Sequence, residues 1–208
     1  MSSARLETFS DGVIAILITI MVLSLATPKG AGWTALRGEL PLVLIYLLSF
    51  VFLGIYWSNH HHLFTMVERI SGGVLWANLH LLFWLSLIPF ATRWLGEQGL
   101  EALPTAAYGF VGLMAAIAYF ILLRVILRQQ QPDSDLARAV GRDFKGKLSA
   151  LAYLVAAPLA FVASWGSVVI YVGVALLWLI PDRRIESRLT SESTTASEAH
   201  PSGGIPPG

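Results

Sequence analysis

The chain has 208 residues, of which 55% are hydrophobic and 13% are charged, and its mean hydropathy is +0.66. Soluble domains carry about 25% charged residues. A soluble fold with this composition would expose large apolar patches, so most soluble enzymes are excluded. A net charge of +1 argues against a nucleic-acid partner. The chain has no cysteine, which excludes disulfides, thiolate metal sites and a cysteine nucleophile.

Six apolar stretches follow one another, and each approaches the roughly 20 residues that a membrane-spanning helix needs. Each is expected to be helical, because hydrocarbon offers no partner to an unpaired backbone amide. A β-barrel would instead show short segments of alternating polarity. The sequence therefore predicts an all-α, polytopic membrane protein embedded in the lipid bilayer. The predicted spans are Phe9–Leu25, Leu40–Trp57, Val74–Trp94, Pro104–Leu123, Leu148–Ser164 and Trp165–Ile180.

The distribution of basic residues predicts the orientation. With a cytoplasmic N-terminus and alternating loops, 11 of the 14 Lys and Arg residues fall on the cytoplasmic side. Cytoplasmic loops carry such an excess. The final 33 apolar residues, 148–180, are short for two crossings, and their turn is predicted at residues 164–167. A single crossing there would move three arginines outside, so the charges favour six crossings with both termini cytoplasmic.

The organisation along the chain is predicted to be simple. Residues 1–185 form one six-helix transmembrane domain. Residues 186–208 have too little apolar content to offset the entropy of ordering, so they are predicted to be a disordered cytoplasmic tail. Pro89 lies within the third stretch and is expected to kink or end that helix.

Polar residues crowd the cytoplasmic start of the first stretch. The first interpretation is that they cap the helix, because Ser10 or Asp11 can accept hydrogen bonds from the free N–H groups of a helix start and acids favour its positive end. The alternation of helices also brings the start of the first, the end of the second and the start of the third to one side of the membrane. The second interpretation is therefore one buried polar network. Its members would be Arg5, Ser10, Asp11, His60, His61 and Asn78.

Ile16, Thr19, Ile20 and Leu23 are spaced i, i+3, i+4 and i+7, which places them on one helix face. Such a stripe most often faces lipid or packs against another helix. The Thr19 hydroxyl can bond the carbonyl of Ala15, four residues back. Arranged around an axis, the same side chains would form a narrow apolar constriction of the kind that gates by dewetting. The residues alone leave both interpretations open.

The histidines suggest two further hypotheses. His60, His61 and His62 point about 100° apart on a helix and cannot hold one metal ion together. A metal-dependent membrane enzyme would have to add His80, and no i, i+4 histidine pair supports it, so neither a metal, a cofactor nor an enzyme is predicted. Membrane carboxylates and histidines also relay protons. A proton-coupled transporter or proton pathway using Asp11 with His60 or His61 is therefore the main alternative.

Four motifs carry a family resemblance. The opening Arg5-x-x-x-Phe9-Ser10-Asp11-Gly12, continuing as Val13-x-Ala15-Ile16-x-x-Thr19, resembles the signature of the lysosomal-type potassium channel family (transmembrane protein 175 family). The resemblance extends to about residue 97, whereas residues 131–147 and the tail after Arg184 match nothing in it. The later motifs are Trp57-x-x-His60-His61-x-Leu63-Phe64, Asn78-Leu79-x-Leu81-Leu82-Phe83 and Pro89-Phe90-x-Thr92-x-x-Leu95-Gly96-Glu97.

The resemblance implies a potassium-selective channel whose first helices line the pore, without a P-loop. Its prokaryotic form has one six-helix unit per chain and assembles as a homotetramer, here expected in a plasma membrane. The hydrophobic constriction would fall on Ile16, with Ile20 and Leu23 as further layers and the Thr19 hydroxyl facing the permeating potassium ion. The resemblance also implies that Phe9, Ser10 and Asp11 hold the bundle together through the second and third helices.

Overall fold

The computed structural model describes residues 3–67, 70–129 and 144–179, and across these ranges it contains helices and no strand. The predicted all-α class is confirmed. The predicted boundary at residue 185 and the tail beyond it lie outside the described residues. The described residues up to Trp178 form one packed unit, and of the second unit only Leu179 is described. The helices are α1 (Ser3–Leu23), α2 (Trp33–Thr65), α3 (Gly72–Ser86), α4 (Ile88–Gln98), α5 (Ala102–Leu127) and α6 (Phe144–Leu179).

Five described segments, compared with the six predicted spans, have membrane-compatible lengths. In the described part of the chain, α1, α2, α5, α6 and the continuous segment Gly72–Gln98 are each long and apolar enough to cross a membrane. The helices start earlier or end later than the apolar stretches. Helix α2 has 33 residues and includes the polar segment 57–65, because a helix continues past the hydrocarbon wherever its backbone bonds and packing persist. Hydropathy marks the apolar part of a helix, not its ends.

The third stretch is interrupted, as Pro89 predicts. Helix α3 ends at Ser86 and α4 begins at Ile88, with the proline in the first turn of α4. The first turn of a helix tolerates proline, because the backbone N–H groups at those positions have no acceptor inside the helix and the one that proline lacks is not missed. The interruption is slight, since Leu87 between the helices keeps a right-handed helical conformation (φ −86°, ψ −12°).

The last helix folds back on itself at Ala163, whose backbone is not helical (φ −151°, ψ 80°). The indole nitrogen of Trp178 donates a hydrogen bond to the Ser149 hydroxyl at 2.9 Å. In a straight helix these residues would lie about 43 Å apart, at 1.5 Å per residue. Ser167 likewise donates to the Ala156 carbonyl at 2.7 Å. The two halves of α6 are therefore antiparallel, and the turn begins one residue before the predicted 164–167.

Small residues and aromatic rings bring α5 and α6 together. The centre of the Tyr171 ring lies 5.4 Å from that of Tyr108 and 5.6 Å from that of Tyr153. The Tyr171 hydroxyl donates to the Thr105 carbonyl at 3.1 Å. A Cβ atom at Gly109 would overlap the Tyr171 hydroxyl. Gly109 therefore leaves the space on α5 that the Tyr171 ring of α6 occupies.

The contact between α2 and α4 gives a first test. A Cβ atom at Gly96 would overlap the Leu42 side chain and come within 3.0 Å of the Leu42 Cα, a backbone atom that cannot yield. We expect Gly96→Ala to lower the free energy of unfolding by about 1–3 kcal/mol, the usual cost of overpacking. Thermal unfolding in detergent measures the change.

The matched control is Gly54→Ala, because Gly54 also lies inside a helix and a Cβ there meets nothing within 4 Å. Equal melting temperatures of the two variants would contradict the close α2–α4 contact.

Candidate functional site

Three helices meet at a buried chain of hydrogen bonds near the start of α1. Ser10 of α1, His60 of α2 and Asn78 of α3 have no exposed surface. The Asn78 amide nitrogen donates to the Ser10 hydroxyl oxygen at 2.8 Å, and the Asn78 oxygen lies 2.8 Å from Nε2 of His60. We call Ser10, His60 and Asn78 the polar anchor.

The direction of every bond in the polar anchor is defined. Ser10 donates its hydroxyl hydrogen to the Leu6 carbonyl at 2.9 Å, so its oxygen accepts from the Asn78 amide nitrogen. The remaining Asn78 oxygen can only accept, and His60 must therefore carry its proton on Nε2. The ring of His60 also stacks on Phe64, with centroids 4.4 Å apart. Hydrogen bonds in such low-dielectric surroundings are strong and costly to leave unmade.

Helical periodicity places Ser10 in the polar anchor. The buried residues of α1 recur every three or four positions, and Ser10 lies among Leu6, Ile14, Leu17 and Met21. This face packs against α2, α3 and α4. Ser3 adds a contact at the helix start, where its hydroxyl donates to the Phe64 carbonyl at 3.0 Å.

The other residues predicted for the network lie outside the polar anchor. Nδ1 of His61 lies 2.7 Å from a carboxylate oxygen of Glu7, at a partly exposed position. Arg5 is exposed, and Phe9 is half exposed. One carboxylate oxygen of Asp11 is buried and, within the described part of the chain, has no hydrogen-bond partner. Glu7 was missing from the predicted network, although its spacing of three residues from Ser10 points to the same side of α1.

The predicted stripe lies on the free side of α1. Ile16, Ile20 and Leu23 are 57%, 47% and 82% exposed, and Thr19 is exposed beside them. The Thr19 hydroxyl donates to the Ile16 carbonyl at 2.8 Å. The prediction that the Ala15 carbonyl accepts this bond was wrong, because the hydroxyl bonds a carbonyl three residues back instead of four. We call Ile16, Thr19, Ile20 and Leu23 the α1 stripe.

A second polar cluster, which the sequence analysis missed, joins α4, α2 and α5. The Thr92 hydroxyl lies 2.7 Å from the Ser49 hydroxyl, which lies 3.0 Å from that of Tyr108. Ser49 and Thr92 have no exposed surface. Thr92 belongs to the Pro89-Phe90-x-Thr92 motif, and its place in that motif was the sequence feature that could have pointed to this cluster.

The histidines proposed as metal ligands do not converge. His60 contacts Asn78, His61 contacts Glu7, and His80 accepts from the Trp84 indole nitrogen at 2.9 Å. In residues 3–67, 70–129 and 144–179 no group of three His, Cys, Asp or Glu side chains is arranged to hold a metal ion. The described residues thus offer no site for the metal-enzyme hypothesis.

The apolar helices and the buried polar anchor define a multi-pass α-helical membrane protein. Residues 5–89 match the family described as "Endosomal/lysosomal potassium channel TMEM175". The chain is 49% identical over 189 residues to a protein of Chryseobacterium sp. (strain P1-3) named as a potassium channel, covering 91% of this chain and 98% of the relative. This chain therefore belongs to the TMEM175 family, and the resemblance seen in its motifs is confirmed.

Two further relatives extend the comparison. The fold is similar to the crystal structure of a lysosomal potassium-selective channel TMEM175 homolog from Chamaesiphon minutus, with a TM-score of 0.76 and 27% identity over 86% of this chain and 96% of that one. A human relative named endosomal/lysosomal proton channel TMEM175 is 32% identical over 103 residues. That match covers 44% of this chain and 20% of the human protein.

The polar anchor gives the second test. Asn78→Leu keeps the number and branching of the side-chain heavy atoms but leaves the Nε2 proton of His60 without an acceptor. We expect it to lower the free energy of unfolding by about 1–3 kcal/mol, the cost of an unsatisfied buried polar group. Thermal unfolding of the purified protein in detergent measures the loss.

Ser86→Ala is the control for this measurement, since the exposed Ser86 hydroxyl on the same helix as Asn78 donates to the Phe83 carbonyl of that helix. If Asn78→Leu is as stable as this control, the anchor does not hold the three helices together.

Proposed function

We propose that this chain is the subunit of a potassium channel in which α1 of each copy lines the ion pathway. The single observation that carries the proposal is the orientation of α1. One of its faces is buried against α2, α3 and α4, and the α1 stripe projects from another side, uncovered by the described residues. An uncovered apolar stripe in the pore-forming position is what a hydrophobic constriction between subunits requires.

The proposed assembly is a homotetramer in a plasma membrane, with six crossings per chain and both termini cytoplasmic. The antiparallel halves of α6 support an even number of crossings, because Lys145 near its start lies 6.0 Å from the Trp178 ring near its end. Four copies would place four α1 stripes around one axis. The mass of the purified complex would give the subunit number directly. The proposed activity is passive conduction, without catalysis.

The mechanism follows from hydration. An apolar ring of Ile16 side chains, with Ile20 and Leu23 as further layers, forces a cation to shed part of its water. Potassium holds that water less tightly than sodium does, because its charge is spread over a larger ion. The free-energy cost of partial dehydration is therefore smaller for potassium. Thr19 donates its hydrogen to the Ile16 carbonyl, which leaves its oxygen lone pairs for a passing cation.

The third test addresses Ile16. In liposomes loaded with potassium or sodium, we expect Ile16→Asn to keep ion flux but to bring the potassium-to-sodium ratio toward unity. A polar side chain at the constriction lets hydrated ions of either kind pass, so the difference in dehydration no longer selects between them.

Val22→Asn is the control, because Val22 is 45% exposed on the same helix but lies off the α1 stripe. Unchanged discrimination in Ile16→Asn, or an equal loss in Val22→Asn, would contradict the role of Ile16.

A second candidate is a proton pathway. One carboxylate oxygen of Asp11 and Nδ1 of His60 are buried without hydrogen-bond partners among the described residues. Such atoms are where a membrane protein can accept and pass protons. The name of the human relative agrees with this chemistry, although the match covers a fifth of that protein.

A fourth test separates the two candidates. If protons pass through Asp11, Asp11→Asn abolishes proton uptake driven by a pH gradient, while Glu7→Gln, which changes the carboxylate paired with His61, leaves it intact. Proton uptake that persists in Asp11→Asn would contradict the relay. The potassium flux of the same liposomes reports separately on the channel.

A further inference from the structure

A cavity of about 270 Å³ lies between α2, α5 and α6, apart from the α1 stripe and the polar anchor. Its wall is almost entirely apolar, with side chains such as Ile55, Ile117 and Val174. We call this space the cytoplasmic crevice, because it lies at the proposed cytoplasmic ends of α2 and α5 and at the start of α6.

The cytoplasmic crevice has one polar end and one apolar end. Asn59 and Lys147 line it near the ends of the helices, whereas Phe52 and Tyr153 line it deeper in the bundle. Along α2, Asn59 and Phe52 are two turns apart, about 10 Å at 1.5 Å per residue. This gradient matches a molecule with a polar head and an apolar tail that lies parallel to the helices.

One cation lines the crevice, and two more lie against aromatic side chains of its wall. Lys147 lines the crevice and is exposed. The guanidinium of Arg124 lies 4.8 Å from the centre of the Phe120 ring, which is also part of the wall. The third cation, Lys145, lies over the ring of Trp178, another wall residue. The residues lining the crevice in the described part of the chain include no carboxylate.

We propose that the cytoplasmic crevice binds an anionic phospholipid of the inner leaflet. One acyl chain fills the apolar space between α2, α5 and α6, and the phosphate lies beside Lys147 and Arg124. The surrounding bilayer supplies this ligand at high concentration, and basic pockets between membrane helices on the cytoplasmic side hold anionic headgroups. The crevice is separate from the α1 stripe, so lipid binding and ion selectivity can be tested independently.

Native mass spectrometry of the full chain in a neutral detergent tests the site. We expect phosphatidylglycerol to be retained more strongly than phosphatidylcholine with the same acyl chains. Lys147→Gln should weaken phosphatidylglycerol retention about fivefold, the effect of one cation near an anionic lipid. Lys147→Arg should restore it, and Lys29→Gln, which changes an exposed lysine in the loop between α1 and α2, should leave it unchanged.

A second pair of variants tests the apolar space. Ala150→Trp fills the crevice and should remove both lipids, whereas Leu151→Trp adds the same ring at a neighbouring residue that is 57% exposed and should remove neither. If Ala150→Trp does not fold, the Lys147 variants still test whether the crevice binds an anionic lipid. Equal retention of the two lipids by the unmodified protein, or retention unaffected by Lys147→Gln, would overturn the proposal.

Discussion

The amide of Asn78 holds three helices in one arrangement, because it donates to Ser10 on α1 and accepts from His60 on α2. In a membrane no water replaces these bonds, so the rotation of α1 about its own axis is tied to them. Ile16 follows Ser10 by six residues, which places it about 120° around the helix. Because Ser10 is buried, the Ile16 side chain points away from the helix bundle. The uncovered α1 stripe, and the proposed ion pathway, depend on this relation.

The second polar cluster supports the other end of the same helix. Thr92 contacts Ser49 and also lies 3.9 Å from the sulfur of Met21, the last buried residue of α1. Helix α1 is thus held against its neighbours near both ends by contacts that involve polar atoms. A rigidly held helix can present the same side chains to an axis in every copy, which a selective constriction needs. The cytoplasmic crevice lies on other helices, so its occupancy need not disturb this arrangement.

Periodicity and topology were enough to predict much of this architecture. The spacing of Ile16, Ile20 and Leu23 predicted a shared face, and the alternation of helices predicted that Ser10, His60 and Asn78 approach one another. The sequence could not show which neighbouring histidine points inward. Adjacent residues on a helix differ by about 100°, and the packing of α2 selects His60 for Asn78 and leaves His61 to Glu7. Tertiary contacts also set the helix ends and the break at Ala163.

Because the chain contains no cysteine, single cysteines along α1 test the central claim most directly. Each variant would be placed in liposomes and treated with a water-soluble, cationic thiol reagent while potassium flux is recorded. The account predicts that Ile16→Cys, Ile20→Cys and Leu23→Cys are modified and that flux is blocked. Cysteines at the buried positions 14 and 17 should remain unmodified. The account would be contradicted if none of the three stripe cysteines were modified, or if they were modified and potassium flux continued.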